Sequence, residues 1–129
     1  TSPACSEKQR QAVELLFIGM NVIPIWTKDH PGLYVIRSIT MLVNEACEAV
    51  LHDISSEQDI DSAMKYGVNY PCGPFEWADR IGYYTILQIL ENMYQIYGED
   101  RYRTSIYLAK KVVQGHAQKT QQQPLRVAG

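Results

Sequence analysis

Residues 29–37 read Asp-His-Pro-Gly-Leu-Tyr-Val-Ile-Arg and open the longest helical pattern of the 129-residue chain. Asp29 is suited to cap the helix, and Pro31 fits its first turn, where a backbone N–H has no helical acceptor. From there to Leu51, apolar side chains recur at helical spacing on two adjoining faces: Val35, Ile39, Leu42, Ala46 and Val50 on one, and Ile36, Val43, Cys47 and Leu51 on the other. A helix with so little polar surface is normally buried or shared with a partner. We therefore predict a long helix of this kind over residues 29–51.

The chain before this helix carries a second helical pattern and an extended apolar run. Ser6 can cap a helix that ends near Gly19. Val22–Thr27 follows as an apolar run, and Pro24 restricts it to the edge or end of a sheet, because proline has no N–H to donate. A strand cannot stand alone, so we expect this run to pair with a segment outside the sequence or with a second copy of the chain.

Four shorter helices are predicted after the long one, over residues 55–66, 74–82, 83–97 and from Thr104 or Ser105 onward. In the last of them we expect Val113 to pack inward and Lys111 to face water. No internal repeat is visible.

Composition limits the class of protein. The chain is 46% hydrophobic with a net charge of −2, which suits one compact domain and gives no basic surface for nucleic acid. No apolar run reaches the roughly 18 residues of a membrane span, and the N-terminus lacks a signal-peptide pattern.

The three cysteines are widely spaced without a C-x-x-C, which favours a reducing cytoplasm over a disulfide framework or zinc site. Cys47 is expected in the core, and Cys72, in a turn, is a candidate for exposure. The lack of an initiator methionine hints at an excised fragment.

Few residues have the spacing that catalysis requires. His30, His52 and His116 are far apart in sequence and lack the spacing of a metal or acid–base site. The acidic residues Glu57, Asp59 and Asp61 are explained by the start of a helix, where negative charge is favourable. No G-x-G-x-x-G is present, so the chain by itself is not expected to bind a dinucleotide, and no metal ligand set is predicted.

Five segments resemble the C-terminal domain of 3-hydroxyacyl-CoA dehydrogenases. Residues 29–37 follow the family's D-x-P-G-[FL]-x-x-N-R except at one position, and residues 55–64 resemble its S-x-E-D-I-D-x-A-M. Residues 67–76 are similar to G-x-x-x-P-x-G-P-F-E, residues 101–105 to R-Y-R-P-S, and residues 115–120 to the start of G-x-x-G-R-K-T-G-x-G-F-Y, whose glycine-led end Gln121 and Gln122 replace. The nearest subgroup is the long, duplicated enzymes acting on 3-hydroxybutyryl-CoA or 3-hydroxyadipyl-CoA, in which a second copy of this domain ends the chain.

This resemblance implies a mainly α fold, a helical bundle of the 6-phosphogluconate dehydrogenase C-terminal-domain-like type, with one short N-terminal strand left from a preceding NAD domain. Residues 1–28 would be the helix and strand remnant of the NAD-domain junction. Residues 29–116 would form the helical C-terminal domain, and residues 117–129 a flexible tail.

The resemblance also implies a chemistry and shows where this chain departs from it. The family oxidises (S)-3-hydroxyacyl-CoA to 3-oxoacyl-CoA with NAD, in fatty acid β-oxidation or phenylacetate degradation. A His–Glu pair of the NAD domain removes the hydroxyl proton, and an Asn of the C-terminal domain hydrogen-bonds the reacting groups. Ile36 occupies that Asn position here and offers no donor or acceptor. No catalytic or cofactor-binding residue is therefore assigned, and the positions carried over as interface or structural candidates are Arg37, Asn44, Glu45, Pro71, Gly73, Pro74 and Glu76.

Three hypotheses follow. In the first, the chain is a dimerisation and substrate-wall scaffold of an NAD-dependent dehydrogenase, without activity of its own. Its partners would be the NAD-binding domain of the same protein, a second copy, and acyl-CoA as a candidate ligand, with no nucleic acid and no membrane. In the second, it is a stand-alone helical self-association module with no catalytic parent. In the third, which Ile36 disfavours, it is an active half-enzyme that borrows a separate NAD domain.

Overall fold

The protein is described by a computed structural model that covers residues 5–28, 30 and 33–121, the last six of these by their backbone alone. The chain divides into two compact units, one up to Leu33 and one from Tyr34. Among the described residues, no helix is long and apolar enough to cross a membrane. The Asp29 cap, Pro31, the side chain of His116 and most of the expected tail lie outside this description.

The described part of the first unit contains helix α1, Glu7–Gly19, and a segment that returns along it. Ser6 caps α1 as predicted: its Oγ accepts from the Gln9 N–H at 3.4 Å, and the Gln9 side chain accepts from the Ser6 N–H at 2.9 Å. The returning segment is held by Trp26, whose indole N–H donates to Glu14 and whose ring lies 4.8 Å from the Arg10 guanidinium.

The predicted strand over Val22–Thr27 is not formed. Residues 22–28 take no regular secondary structure. A strand needs a neighbour with which to exchange backbone hydrogen bonds, and the described residues contain no second strand. The mainly α fold class is therefore confirmed. The short N-terminal strand that was expected with it is wrong.

The described part of the second unit, residues 34–121, holds five α-helices, as the sequence patterns predict. They are α2 (Tyr34–Leu51), α3 (Glu57–Gly67), α4 (Pro74–Ile81), α5 (Tyr83–Tyr97) and α6 (Ile106–Gln121), with a single 3-10 turn, Asp100–Tyr102, before α6. Ser56 caps α3, Pro74 occupies the first turn of α4, and Gly98 ends α5 in the left-handed conformation. Helix α2 begins at Tyr34, directly after Leu33, whose φ of +40° lies outside the right-handed helical range.

Helix α2 forms the centre of the second unit and packs against α3, α4, α5 and α6. Its buried side chains Val43 and Cys47 meet a core completed by Ala46, Phe75, Ala78, Ile86, Leu90, Met93, Tyr102 and Leu108. The placement of Cys47 in the core is confirmed. Burial of this apolar set supplies the main driving force for folding, at about 25 cal/mol per Å².

Four details differ from the sequence-based expectations. Val35 and Val113 are 73% and 68% exposed, because helical periodicity assigns a stripe without saying how far the neighbouring helices extend. Cys72 is buried at 5% exposure; the turn that holds it is tied back to α3 by the hydrogen bonds of Asp61 to the Phe75 and Glu76 N–H groups. Lys111 does not face water freely, because it forms an ion pair with Glu57 at 2.5 Å.

Candidate functional site at the start of α2

The position at which the resemblance expects a catalytic amide lies in the first turn of α2. Tyr34 and Val35 are exposed there, whereas Ile36 is half-buried. The backbone carbonyl of Ile36 accepts a hydrogen bond from the Thr40 hydroxyl at 2.6 Å. A sec-butyl side chain can fill space and exclude water, but it cannot polarise a carbonyl or hold a hydroxyl.

Arg37 lies beside this position and contacts two aromatic rings. Its guanidinium carbon is 5.0 Å from the ring centroid of Tyr97 and 5.0 Å from that of Tyr102. The two rings themselves are 5.5 Å apart and tilted by 39°. Tyr102 is fully buried, and its hydroxyl has no hydrogen-bond partner among the described residues. Arg37 thus packs against the core residue Tyr102 and against Tyr97 through cation–π contacts.

Asn44 fastens the connection between α5 and α6 onto α2. It is 3% exposed, its side-chain N–H donates to the Arg103 carbonyl at 2.9 Å, and its carbonyl accepts from the Ser105 N–H at 2.9 Å. Ser105 in turn accepts from the Tyr107 N–H at 3.2 Å, at the start of α6. Asn44 therefore satisfies two backbone groups that no helix satisfies. Glu45, the next residue, is exposed and has no ion pair among the described residues.

The turn before α4 is built around Gly73. Asp61 of α3 is buried, and its carboxylate accepts from the Phe75 N–H at 2.8 Å and from the Glu76 N–H at 3.1 Å. A Cβ on Gly73 would lie 2.2 Å from the Asp61 carboxyl carbon, so only glycine fits there. The charge of Asp61 also stabilises the positive end of α4.

The other members of this turn support the same arrangement. Glu76 pairs with Lys65 of α3 and also accepts from the Gly73 N–H at 3.2 Å. The hydrogen bond from Lys65 keeps the pKa of Glu76 below its ordinary value. Pro74 is buried in the first turn of α4, whereas Pro71 is exposed. The Pro71–Glu76 turn is thus tied to α3 rather than to the start of α2.

Sequence reasoning missed the role of Asp61, which it attributed to the start of α3. The spacing offered one signal that we did not use: Asp61 directly follows Ile60, which packs against the core. An acid so close to the inward face of a helix usually has a specific partner. The identity of that partner depends on the return of the loop and could not be read from local spacing.

A second missed group surrounds Glu57, where α3, α5 and α6 meet. Glu57 accepts from the Tyr107 hydroxyl at 2.6 Å and pairs with Lys111. The Lys111 ammonium lies 5.7 Å from the Tyr83 ring centroid and 5.6 Å from that of Tyr107. Such a cation between two aromatic faces and a carboxylate ties the three helices together.

The electrostatics of this group follow from its contacts. Burial disfavours the charged form of Glu57, but hydrogen bonds from Lys111 and Tyr107 outweigh it and lower the pKa of Glu57. The same hydrogen bond raises the pKa of Tyr107 to about 12. Burial, with the Glu57 charge as a lesser cause, raises the pKa of the Cys47 thiol to about 12. Cys47 therefore stays a protonated, unreactive thiol.

The residues present do not fit a dinucleotide. Phosphate binding of that kind needs a glycine-rich turn between a strand and a helix, and the described part of the chain holds no strand. We derive no hydride step from this chain. Among residues 5–28, 30 and 33–115, no three histidine, cysteine or acidic side chains lie where they could share a metal ion.

Comparisons with known proteins agree with this structure. Residues 32–126 match the family described as 3-hydroxyacyl-CoA dehydrogenase, C-terminal domain. The chain is 45% identical over 95 residues to 3-hydroxyadipyl-CoA dehydrogenase of Escherichia coli (strain K12), covering 74% of this chain and 20% of that protein. It is 34% identical over 112 residues to a probable 3-hydroxybutyryl-CoA dehydrogenase of Bacillus subtilis (strain 168), covering 87% of this chain and 39% of that protein.

Solved structures give the same result. The crystal structure of (S)-3-hydroxybutyryl-CoA dehydrogenase from Ralstonia eutropha superposes with a TM-score of 0.78 at 33% identity, covering 88% of this chain and 40% of that one. The chain thus spans well under half the length of these relatives. The family match extends over most of the second unit, including Ile36, Asn44 and the Gly73 turn. The chain therefore belongs to the 3-hydroxyacyl-CoA dehydrogenase family, and residues 32–126 correspond to its C-terminal domain.

Proposed function

We propose that this chain is the scaffold domain of an NAD-dependent 3-hydroxyacyl-CoA dehydrogenase and has no turnover of its own. In this role it completes a helical dimerisation core and forms one wall of the acyl-CoA cleft, while a separate domain carries NAD. The oxidation of (S)-3-hydroxyacyl-CoA to 3-oxoacyl-CoA would belong to the whole protein, and its cytoplasmic location is part of the same proposal.

The observation that carries the proposal is Ile36. The resemblance expects an amide at this point, and the half-buried side chain that occupies it has no polar atom. In enzymes with an oxyanion hole, removal of one hydrogen-bond donor lowers kcat on the order of 10²–10³-fold. By analogy, loss of a polarising amide at this position should lower the rate by a similar factor. Two polar residues of the same helix already have contacts: Arg37 contacts the rings of Tyr97 and Tyr102, and both ends of the Asn44 amide bind backbone.

The exposed apolar surface supports a scaffold role. Tyr34 and Val35 are 63% and 73% exposed at the start of α2, and in the first unit Ile23 and Ile25 are 88% and 85% exposed. Exposed large apolar side chains such as these support a contact with another protein surface.

Two measurements test the proposal. The isolated chain is expected to give no NADH absorbance with NAD and (S)-3-hydroxybutyryl-CoA, and measurable NAD reduction would contradict it. Sedimentation equilibrium is expected to detect a dimer, and a monomer at all concentrations would remove the dimerisation role. A G-x-G-x-x-G segment encoded in frame before Thr1 would favour this function over a stand-alone self-association module, which also predicts a dimer.

A further inference from the structure

Thr40 places a hydroxyl on the face of α2 that packs into the core. Its side chain is fully buried, as are those of Val43 and Cys47, which lie three and seven residues further along the helix on the same face. Removing a hydroxyl from water costs free energy unless it forms a hydrogen bond, and valine would fill this position without that cost. A threonine that is fully buried here therefore needs a specific partner.

The partner of this hydroxyl is the backbone carbonyl of Ile36. Thr40 Oγ1 donates to that carbonyl oxygen at 2.6 Å. In an α-helix the same oxygen also accepts the N–H of the residue four positions later, which here is Thr40 itself. One buried residue thus holds the Ile36 peptide group by two hydrogen bonds. Because a hydroxyl bonded in this way bends a helix slightly, the bond sets the local direction of α2 at position 36.

A bond of the same kind occurs nearby in an exposed setting. Ser38 Oγ donates to the Tyr34 carbonyl at 2.8 Å, but Ser38 and Tyr34 are both exposed. Water competes for an exposed hydrogen bond, whereas a buried bond is stronger because the surrounding dielectric constant is lower. The Thr40 bond therefore restrains the backbone at position 36, and the Ser38 bond restrains the backbone at Tyr34 much less.

The backbone after position 36 is held as well. Arg37, the next residue, packs against the rings of Tyr97 and Tyr102, each 5.0 Å from its guanidinium carbon. One peptide group of this turn is thus fixed by a buried hydroxyl, and the residue that follows it is fixed by two aromatic rings. The first turn of α2 is restrained at the point where the resemblance expects the amide.

We propose that Thr40 is a positioning residue for position 36: its hydroxyl, through the Ile36 carbonyl, fixes the direction in which the side chain at that position leaves α2. The inference rests on the proposed function, in which position 36 is the place of the family's amide. A displacement of about 1 Å from the productive geometry costs on the order of 10² in rate, so a group that acts there needs a fixed backbone. In this chain the restraint is present, although Ile36 has no polar atom to position.

The first test measures NADH formation from NAD and (S)-3-hydroxybutyryl-CoA by the I36N chain, with the NAD-binding domain of the E. coli 3-hydroxyadipyl-CoA dehydrogenase added in trans. Adding T40V to I36N is expected to lower kcat about 10-fold and to change KM less than about twofold, because the amide is present but misdirected. T40S keeps the hydroxyl and should restore most of kcat. S38A in the I36N chain is the matched control, because it removes an exposed bond of the same kind and should change kcat less than about twofold.

The second test does not depend on turnover. In a T40V chain that keeps Ile36, hydrogen exchange of the Ser38 and Ile39 amides is expected to be about 3- to 10-fold faster than in wild type, because the first turn of α2 opens more often. The Val43 and Cys47 amides are the internal reference, since a change that reaches them reports the stability of the whole domain. A thermal melt checks that T40V folds, and T40A, which also lacks the hydroxyl, takes its place if T40V does not.

Equal kcat in I36N and I36N/T40V overturns the proposal. A raised KM with unchanged kcat also overturns it, because substrate binding rather than orientation would then depend on Thr40. If I36N/T40S is as slow as I36N/T40V, the hydroxyl is not the cause and the proposal is again wrong. If I36N gives no rate above the domain alone, the proposed function fails and hydrogen exchange decides on Thr40: Ser38 and Ile39 amides that exchange at the wild-type rate in T40V refute the restraint.

Discussion

Replacing Gly73 by alanine is expected to destabilise the second unit, because Gly73 is the one described glycine at which an added Cβ would meet other atoms closer than 3 Å. The new Cβ would lie 2.2–2.4 Å from three atoms of the Asp61 side chain. Because that carboxylate would have to move, its hydrogen bonds to the Phe75 and Glu76 N–H groups would be lost or lengthened. Each hydrogen bond to a charged group is worth about 1.5–3 kcal/mol, and the lower chain entropy of alanine returns at most about 1 kcal/mol. The net loss is therefore about 2–5 kcal/mol.

Urea denaturation followed by circular dichroism measures this loss. The Tm in a thermal melt should fall by about 4–8 °C for each kcal/mol lost in a domain of this size. G115A is the matched control, because Gly115 lies within α6 with no atom near the added methyl; it should stabilise by about 0.5–1 kcal/mol. If the clash is the cause, G73A should cost little in a D61A background. A G73A chain as stable as wild type, or an equal cost with and without Asp61, would refute the reasoning.

Three further predictions concern other contacts. N44A should lower the free energy of unfolding by about 2–4 kcal/mol, because it leaves the Arg103 carbonyl and the Ser105 N–H unpaired. A loss under about 0.5 kcal/mol in urea denaturation would contradict a stabilising role for these two hydrogen bonds. Since the pKa of Glu57 is lowered in the folded chain, its contribution to stability is present above its ordinary pKa of 4.5 and is lost as the pH falls through the folded value. The difference in unfolding free energy between wild type and E57Q should therefore shrink on acidification, and a pH-independent difference would count against it. Of the three thiols, only exposed Cys5 should react rapidly with an aromatic disulfide reagent, because Cys47 and Cys72 are buried; a second fast thiol in the native protein would be inconsistent with the fold.

The sequence predicted those features that depend on local chemistry. Ser6 and Ser56 cap helices, Pro74 opens α4 and Gly98 ends α5, because each acts within one turn of its own position. Helical periodicity likewise predicted the central role of α2, whose Val43 and Cys47 are fully buried.

The features that were missed depend on which distant segments meet. The hydrogen-bond partners of buried Asp61 are backbone groups 14 and 15 residues away, and the partner of Lys111 lies on another helix. The strand expected over Val22–Thr27 would need a second strand beside it, and the described residues contain no strand. For the candidate site, the sequence identified Ile36 and Arg37 by resemblance, but the aromatic contacts of Arg37 come from α5 and the turn before α6 and have no local signature.

The central claim is that the fold of this domain is kept while its polarising amide is lost at Ile36. The most direct measurement is the rate of NADH formation from NAD and (S)-3-hydroxybutyryl-CoA by the NAD-binding domain of the E. coli relative, with wild-type or I36N chain added in trans. We predict no rate above the domain alone with the wild-type chain, and a rate at least about 10²-fold higher with I36N. A wild-type chain that supports turnover as fast as I36N would contradict the account.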